Sequence, residues 1–316
     1  MTRHARLAAP LALSFLTAML LGTTVLITGC SRKTSPNADP QFLAEEQAWR
    51  AHRLESLTSE DGWLTLVGLF WLEPGRNDFG SDLSNSVVIP ETAGHAGRFE
   101  LATNGTVTID CNPDAGVTVA GEPVTRRALA SDADGAPDVL HAGRISFYLI
   151  KRGTRFAIRV KDPQAETRTG FLGLQYFPPD PEYRVKGRLV RFEKPQPVDV
   201  PTVVGSTQQM LVPGIVHFTL EGHQLSLKPL VESPKDQELF FVFRDATSGS
   251  QTYGAGRFLS AAAPDDNGTV VLDFNRAYNP PCAFTPFATC PLPIPGNDLP
   301  IAVRAGEKAY AGGHHK

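Results

Sequence analysis

The chain has 316 residues, 41% hydrophobic and 20% charged, a balance that can bury a sizeable core and argues against disorder. Lys and Arg number 30 against 33 Asp and Glu, so no global basic excess points to nucleic acid. Four cysteines are too few for a miniature disulfide scaffold, and 28 glycines with 26 prolines favour many turns over long helices.

The first 30 residues read as an export signal. Arg3 and Arg6 form a positive start, and an apolar run without an acidic residue follows from Leu7 to Ile27. The run is long enough to span a bilayer, so an uncleaved membrane helix is the competing reading. It ends at Ile27-Thr28-Gly29-Cys30, which resembles a bacterial lipobox. That resemblance implies removal of residues 1–29 and a thioether-linked diacylglycerol on Cys30. The lipid bilayer is then one partner, engaged through acyl chains that each contribute about 0.8 kcal/mol per buried CH₂. Ser31, in place of an Asp, implies the outer membrane of a two-membrane envelope, with the domain facing the periplasm. Residues 30–40 are polar and Pro-broken, as a tether between lipid and domain requires.

A helix is expected from Phe42 to Leu57, with Asp39-Pro40 as its start, Glu45 and Glu46 early and Arg50 and Arg53 late. Phe42 and Trp49 are seven apart and share a face that can dock on the domain. Beyond it the pattern changes to short strands, among them stretches near Leu64–Trp71, Phe147–Lys151, Ile215–Leu220 and Thr252–Leu259. Turn clusters such as Thr103-Asn104-Gly105 and Pro264-Asp265-Asp266-Asn267-Gly268 separate them. The expected fold is mainly β: an antiparallel barrel or sandwich with one N-terminal helix and a long Pro-rich C-terminal loop. Residues 41–313 are expected to form one composite β domain, with a possible subdivision at residues 194–201 (KPQPVDVP).

Familiar catalytic signatures are missing: no nucleophile elbow, Walker loop, dinucleotide fingerprint or HExxH is present. His217 and His223 flank a turn and could meet across a hairpin, but two surface histidines explain them as well, and neither a metal nor a cofactor is expected. The His314-His315 pair would bind metal only weakly.

Three C-terminal segments are more distinctive. They are Phe243-Arg244-Asp245-Ala246-Thr247-Ser248-Gly249 running into Thr252-Tyr253-Gly254-Ala255-Gly256-Arg257-Phe258-Leu259; Leu272-Asp273-Phe274-Asn275-Arg276-Ala277-Tyr278-Asn279-Pro280-Pro281-Cys282; and Cys290-Pro291-Leu292-Pro293. Together with residues 62–72 (GWLTLVGLFWL), they resemble the bacterial family called domain of unknown function 1684, over Trp49 to Lys308. The resemblance implies no activity, because the family has none to carry over.

Alternation places Asp273 and Asn275 on one face of their strand, and Tyr253 and Arg257 on one face of the strand before it. A short turn joins the two, so Arg257 and Asp273 are expected to approach as a cross-strand pair, either a ligand-orienting site or a pin for the sheet. Residues 275–300 hold seven prolines and cannot be regular helix or central strand. Asn275, Asn279 and Asn297 suit hydrogen bonding to loop backbone, or could face a ligand, and Glu307 is a candidate second carboxylate. Cys282 and Cys290 bracket this loop, and export makes a disulfide their default. Cys111 is left over as a small buried residue. Arg184, Lys186 and Arg188 alternate as a basic face, solvated or meeting lipid headgroups. Trp63, Phe70, Trp71, Phe240, Phe241 and Phe243 either line an apolar cavity or fill the core.

Three functions compete. One is an envelope lipoprotein that binds a small or lipid-like ligand, or an envelope protein partner, through the C-terminal loop region. Another is a periplasmic hydrolase-like enzyme using Asp273 as acid or base, with Arg257 and Asn275 positioning substrate. The third is a purely structural surface protein. Convergence of these side chains on an open pocket separates the first two from the last.

Overall fold

The computed structural model describes residues 39–313. The export signal, Cys30, most of the tether, and His314-His315 lie outside the described residues.

Helix α1 spans Pro40–Thr58. The Asp39 side chain accepts the Gln41 amide at 3.1 Å, and Pro40 sits in the first turn, where its missing N–H costs nothing. At the other end the Thr58 hydroxyl donates back to the Leu54 carbonyl at 2.9 Å. The helix buries Phe42, Glu46 and Leu57. Phe42 lies under the Arg184 guanidinium, and half-buried Trp49 meets Tyr176 edge-on, so the shared docking face forms as expected.

Eleven strands follow: β1 Leu66–Trp71, β2 Gly75–Gly80, β3 Val87–Val88, β4 Gly97–Leu101, β5 Val107–Cys111, β6 Thr118–Val119, β7 Glu122–Pro123, β8 Arg126–Ala128, β9 Leu140–Ala142, β10 Ile145–Arg152 and β11 Arg155–Lys161. They make two sheets, of order β1-β11-β10-β9-β6-β7 and β3-β2-β4-β5-β8. Every pairing is antiparallel except β2 with β3. The sheets share one core, in which Phe79, Phe99 and Phe147 form an aromatic chain, with centroids 4.9 and 6.5 Å apart. Alternation explains why: in β5 Val107, Ile109 and Cys111 are buried while Thr108 and Asp110 look outward.

The second half repeats the layering with longer strands: β12 Arg184–Pro201, β13 Thr207–Leu220, β14 His223–Leu227, β15 Glu238–Phe243, β16 Arg257–Ala262 and β17 Thr269–Asp273. One sheet has the order β14-β13-β12-β17, and β15 pairs with β16 alone. Between them lie Phe218, Phe241, Phe243 and Phe274, the last ring 5.6 Å from both Phe218 and Phe243. Truncating one of these to Ala costs about 3–5 kcal/mol. The sheets stay open. The architecture is two sandwiches, and no closed barrel forms among the described residues.

Residues 194–201, read as a possible junction, are the second half of β12 and continue its pairing with β13. The pairing skips between Arg191 and Gln196, and Pro195 falls in that bulge. Beyond it β17 no longer covers β12, so Pro197 and Pro201 sit on an edge, where proline is tolerated. After β17 the chain runs to residue 313 with only two short 3₁₀ turns, Phe274–Arg276 and Pro281–Ala283.

Candidate functional site

The expected Arg257–Asp273 pair does not form. β16 bonds to β15, with Arg257 opposite Phe243, whereas β17 bonds to β12, with Asp273 opposite Arg184. The turn between β16 and β17 joins facing layers, so the two side chains belong to different sheets. Arg257 is fully buried and pairs with Asp245 at 2.8 Å. It also donates to the Ala305 and Val303 carbonyls. Burial pushes its pKa down, and the Asp245 charge works against that shift. Asp245 itself accepts the Thr247 amide at 2.8 Å, the Thr247 hydroxyl at 2.6 Å and the Val303 amide at 3.2 Å.

Asp273 stands in a cluster of five charges. Arg184 reaches it at 2.6 Å and also bridges Glu45 at 3.0 Å and Glu46 at 3.1 Å, while Arg276 bonds Glu46 at 2.8 Å. Burial raises the Glu46 pKa, and the nearby Asp273 charge adds to that rise. The cluster ties α1 to β12 and to the turn after β17. Arg184 is thereby drawn out of the expected basic face, leaving only Lys186 and Arg188 exposed.

The asparagines act on backbone. Asn275 exchanges both amide groups with the Asp180 backbone at 2.9 Å. Asn297 accepts the Lys228 amide at 2.8 Å and donates to the Lys228 and Val242 carbonyls at 3.0 Å. Asn279 gives its side-chain amide to the Lys308 carbonyl at 2.7 Å and its backbone amide to Glu307 at 2.8 Å. Glu307 is fully buried and also pairs with Arg53 of α1 at 2.8 Å. Gly306 permits that approach: at φ +77° it lies so close to the Ala277 carbonyl that a Cβ would come within 2.4 Å of the oxygen. Tyr253 lies in the loop before β16, outside any strand, and its hydroxyl donates to the Cys282 carbonyl at 3.1 Å. The seven do not converge on one pocket: Asn275 bonds Asp273 at 2.9 Å, Asn279 and Arg257 both reach Glu307, Tyr253 and Asn297 bond elsewhere, and all of them hold an irregular segment together.

Cys111, Cys282 and Cys290 are all free thiols, so the expected disulfide is not formed in this structure. Cys282 and Cys290 nevertheless touch, the Cys282 amide donating to the Cys290 sulfur at 3.1 Å. Their mutual hydrogen bond lowers the Cys282 pKa, and burial raises that of Cys290. Burial also raises Cys111, to about 11, which keeps it an unreactive core thiol.

An open cleft of about 1070 Å³ lies elsewhere, between the two sandwiches, and none of the seven lines it. Trp63 and the β10 end bound it on one side, β13, β15 and β16 on the other, and Thr289 to Pro291 of the long loop close it. Met210, Phe240 and Phe258 give it apolar surface. Of the six aromatics considered for a cavity, Trp63 and Phe240 line this one, while Phe241 and Phe243 are core. Glu232, Asp236 and Glu238 lie on the side of the second sandwich, and Lys151, Arg152 and Asp132 on the side of the first. Arg152 bonds Asp132 at 2.8 Å and the Thr289 hydroxyl at 3.0 Å. The same hydroxyl accepts from Arg159 at 3.3 Å. Arg159, on β11, is 2% exposed and stacks over Trp63. The only clue to Arg159 in the sequence was an arginine inside an otherwise apolar strand run, Ala157 to Val160.

The model of the family described as "Protein of unknown function (DUF1684)" matches residues 169–308, a shorter span than Trp49 to Lys308. An uncharacterised protein of Haloarcula marismortui, solved by solution NMR, is 37% identical; the match covers 46% of this chain and 80% of that one, at a TM-score of 0.39. No curated protein matches.

Proposed function

For this chain, which belongs to the DUF1684 family, we propose a membrane-anchored envelope lipoprotein that binds a small or lipid-like ligand in the cleft between its sandwiches. The cleft carries the reading. Its volume of about 1070 Å³ suits a small molecule, and it combines aromatic and apolar walls with a few polar groups. The C-terminal loop contributes through Thr289 to Pro291. Anchoring rests on the residues before the domain: Arg3 and Arg6, the apolar run and Cys30 support a lipid attached in the envelope, with the domain in the periplasm. Export would carry Cys282 and Cys290 into an oxidising compartment, and their contact favours a disulfide there.

The enzymatic alternative has less support. A general acid or base must reach substrate, yet Asp273 is bonded to Arg184 and to Asn275, and Arg257 points to Asp245. The test of the binding reading is Ser260→Trp, which fills the cleft from an exposed position on β16. Melting temperature is followed for both chains against a panel of short-chain amphiphiles. The reading expects shifts in the natural chain that Ser260→Trp abolishes; no shift in either, or equal shifts in both, overturns it.

A further inference from the structure

Among the described residues two arginines are deeply buried, and they differ in one respect. Arg257, fully buried, has the carboxylate of Asp245 at 2.8 Å. Arg159, 2% exposed, pairs with no carboxylate among the described residues. Its contacts are the Thr289 hydroxyl at 3.3 Å, the Tyr148 hydroxyl at 3.5 Å and the faces of Trp63 and Tyr148, and its Nε has no partner. A guanidinium held out of water without a counter-ion is costly to the fold. Such a group is retained where something else supplies the negative charge.

Its surroundings say what that would be. Thr289 and Trp63, which touch Arg159, both line the cleft. Arg152 lines it too and converges on the same hydroxyl at 3.0 Å, with Lys151 alongside. On this wall the cations meet one carboxylate, Asp132, already bonded to Arg152 at 2.8 Å, while the other lining carboxylates, Glu232, Asp236 and Glu238, belong to the second sandwich. Two planar forks beside a hydroxyl match the oxygens of a carboxylate or phosphate, which accept paired N–H bonds. Building on the cleft reading above, we propose that this corner is an oxyanion subsite: Arg152 and Thr289 on the cleft wall receive the carboxylate or phosphate group of the ligand, Arg159 behind Thr289 supplies the second positive charge, and the body of the ligand lies along Phe240 and Phe258.

The test uses the full chain in neutral-lipid nanodiscs, with hexanoate, hexyl phosphate, hexanol, hexylammonium and inorganic phosphate as calorimetric probes. The oxyanion subsite expects hexanoate or hexyl phosphate to bind at least about tenfold tighter than hexanol, a margin that one charge-assisted contact supplies. Arg159→Met should erase that margin while melting at or above the natural chain, because an unpaired buried charge is replaced by an apolar side chain of similar reach. Inorganic phosphate matching hexyl phosphate would support the subsite and show that a free ion suffices; a weaker response would assign it to a head group. Hexanol or hexylammonium binding as well as the anions would overturn the subsite and leave the cleft reading standing. Binding by no probe would overturn both. A lower melting temperature for Arg159→Met would make Arg159 a structural residue and overturn the proposal.

Discussion

Replacing Asp245 with Asn tests whether the most distinctive C-terminal motif is structure or chemistry. Asp245 and Arg257 have no exposed side-chain surface, and the guanidinium has no other carboxylate partner. Asn keeps the shape and one acceptor for the Thr247 amide and hydroxyl, so the main loss is the charge opposite Arg257. Breaking a buried pair from one side costs about 3–5 kcal/mol. At about 2–4 °C per kcal/mol for a domain of this size, Tm should fall by roughly 6–20 °C. Urea unfolding, followed by tryptophan fluorescence, gives the same quantity independently. The comparison is Asp273→Asn, whose partners Arg184 and Arg276 have side chains 29% and 32% exposed. Its loss should be nearer about 1 kcal/mol, because solvent screens those partners. Equal losses for the two variants, or a fall of less than about 1 kcal/mol for Asp245→Asn, would refute the assignment of Arg257 to the Asp245 lock.

Cys30→Ser should leave the chain unprocessed or release it from membrane fractions; unchanged mobility and unchanged membrane attachment would refute the lipobox reading. Protein prepared from the envelope should show a Cys282–Cys290 bridge in non-reducing peptide maps. Reducing it should cost roughly 2–3 kcal/mol in the chain-entropy model, and free thiols at both positions would sink the proposal. The third concerns pH. The Arg144 fork, bonded to Asp162 at 2.9 and 3.0 Å, holds that carboxyl below its ordinary value. The folded state therefore binds the proton less readily than the unfolded chain. The pair's contribution is complete above about pH 4 and is lost as pH falls through the folded value. Asp162→Asn should cost about 1 kcal/mol at pH 7 and progressively less as pH falls below about 4; a difference that does not shrink on acidification contradicts the pairing.

Much of the fold was legible in residues whose signals are local. Asp39-Pro40 gives the start of α1 because capping depends on neighbours in sequence, and alternation finds β5 because each side chain reports its own face. What failed was partner choice. The Pro264–Gly268 turn looks like a hairpin, but the chain uses it to cross between layers, and no local signal distinguishes the two. The prolines of residues 194–201 suggested a break, yet one lies in a bulge and two on an edge. Of the two roles the sequence leaves open for the asparagines, bonding to backbone is seen: a segment without ladders must satisfy its backbone through side chains, and Asn275, Asn279 and Asn297 do so. Arg159 was missed because the strand pattern counts polar residues as solvent-facing, and this one faces inward.

The cleft draws on both sides of the family boundary, and this constrains what a family assignment can mean for function. Residues 169–308 hold the second sandwich, the asparagine ties and the Asp245–Arg257 lock, all of which maintain shape. They also supply Phe240, Phe258 and Thr289 to the cleft. Lys151, Arg152 and Arg159 lie before residue 169, on the first sandwich. The matched region therefore builds one wall with the hydroxyls of Ser260 and Thr289, while the cations that would select an anionic ligand come from β10 and β11. A protein that shared only the matched region could keep this wall and lack the charge opposite it. Ligand preference should then follow the residues at 151, 152 and 159 rather than the motifs that identify the family. Arg257 and Asp273 would govern stability in both kinds of chain, and replacements on β10 and β11 would move the preference for an anion without moving the melting temperature downward.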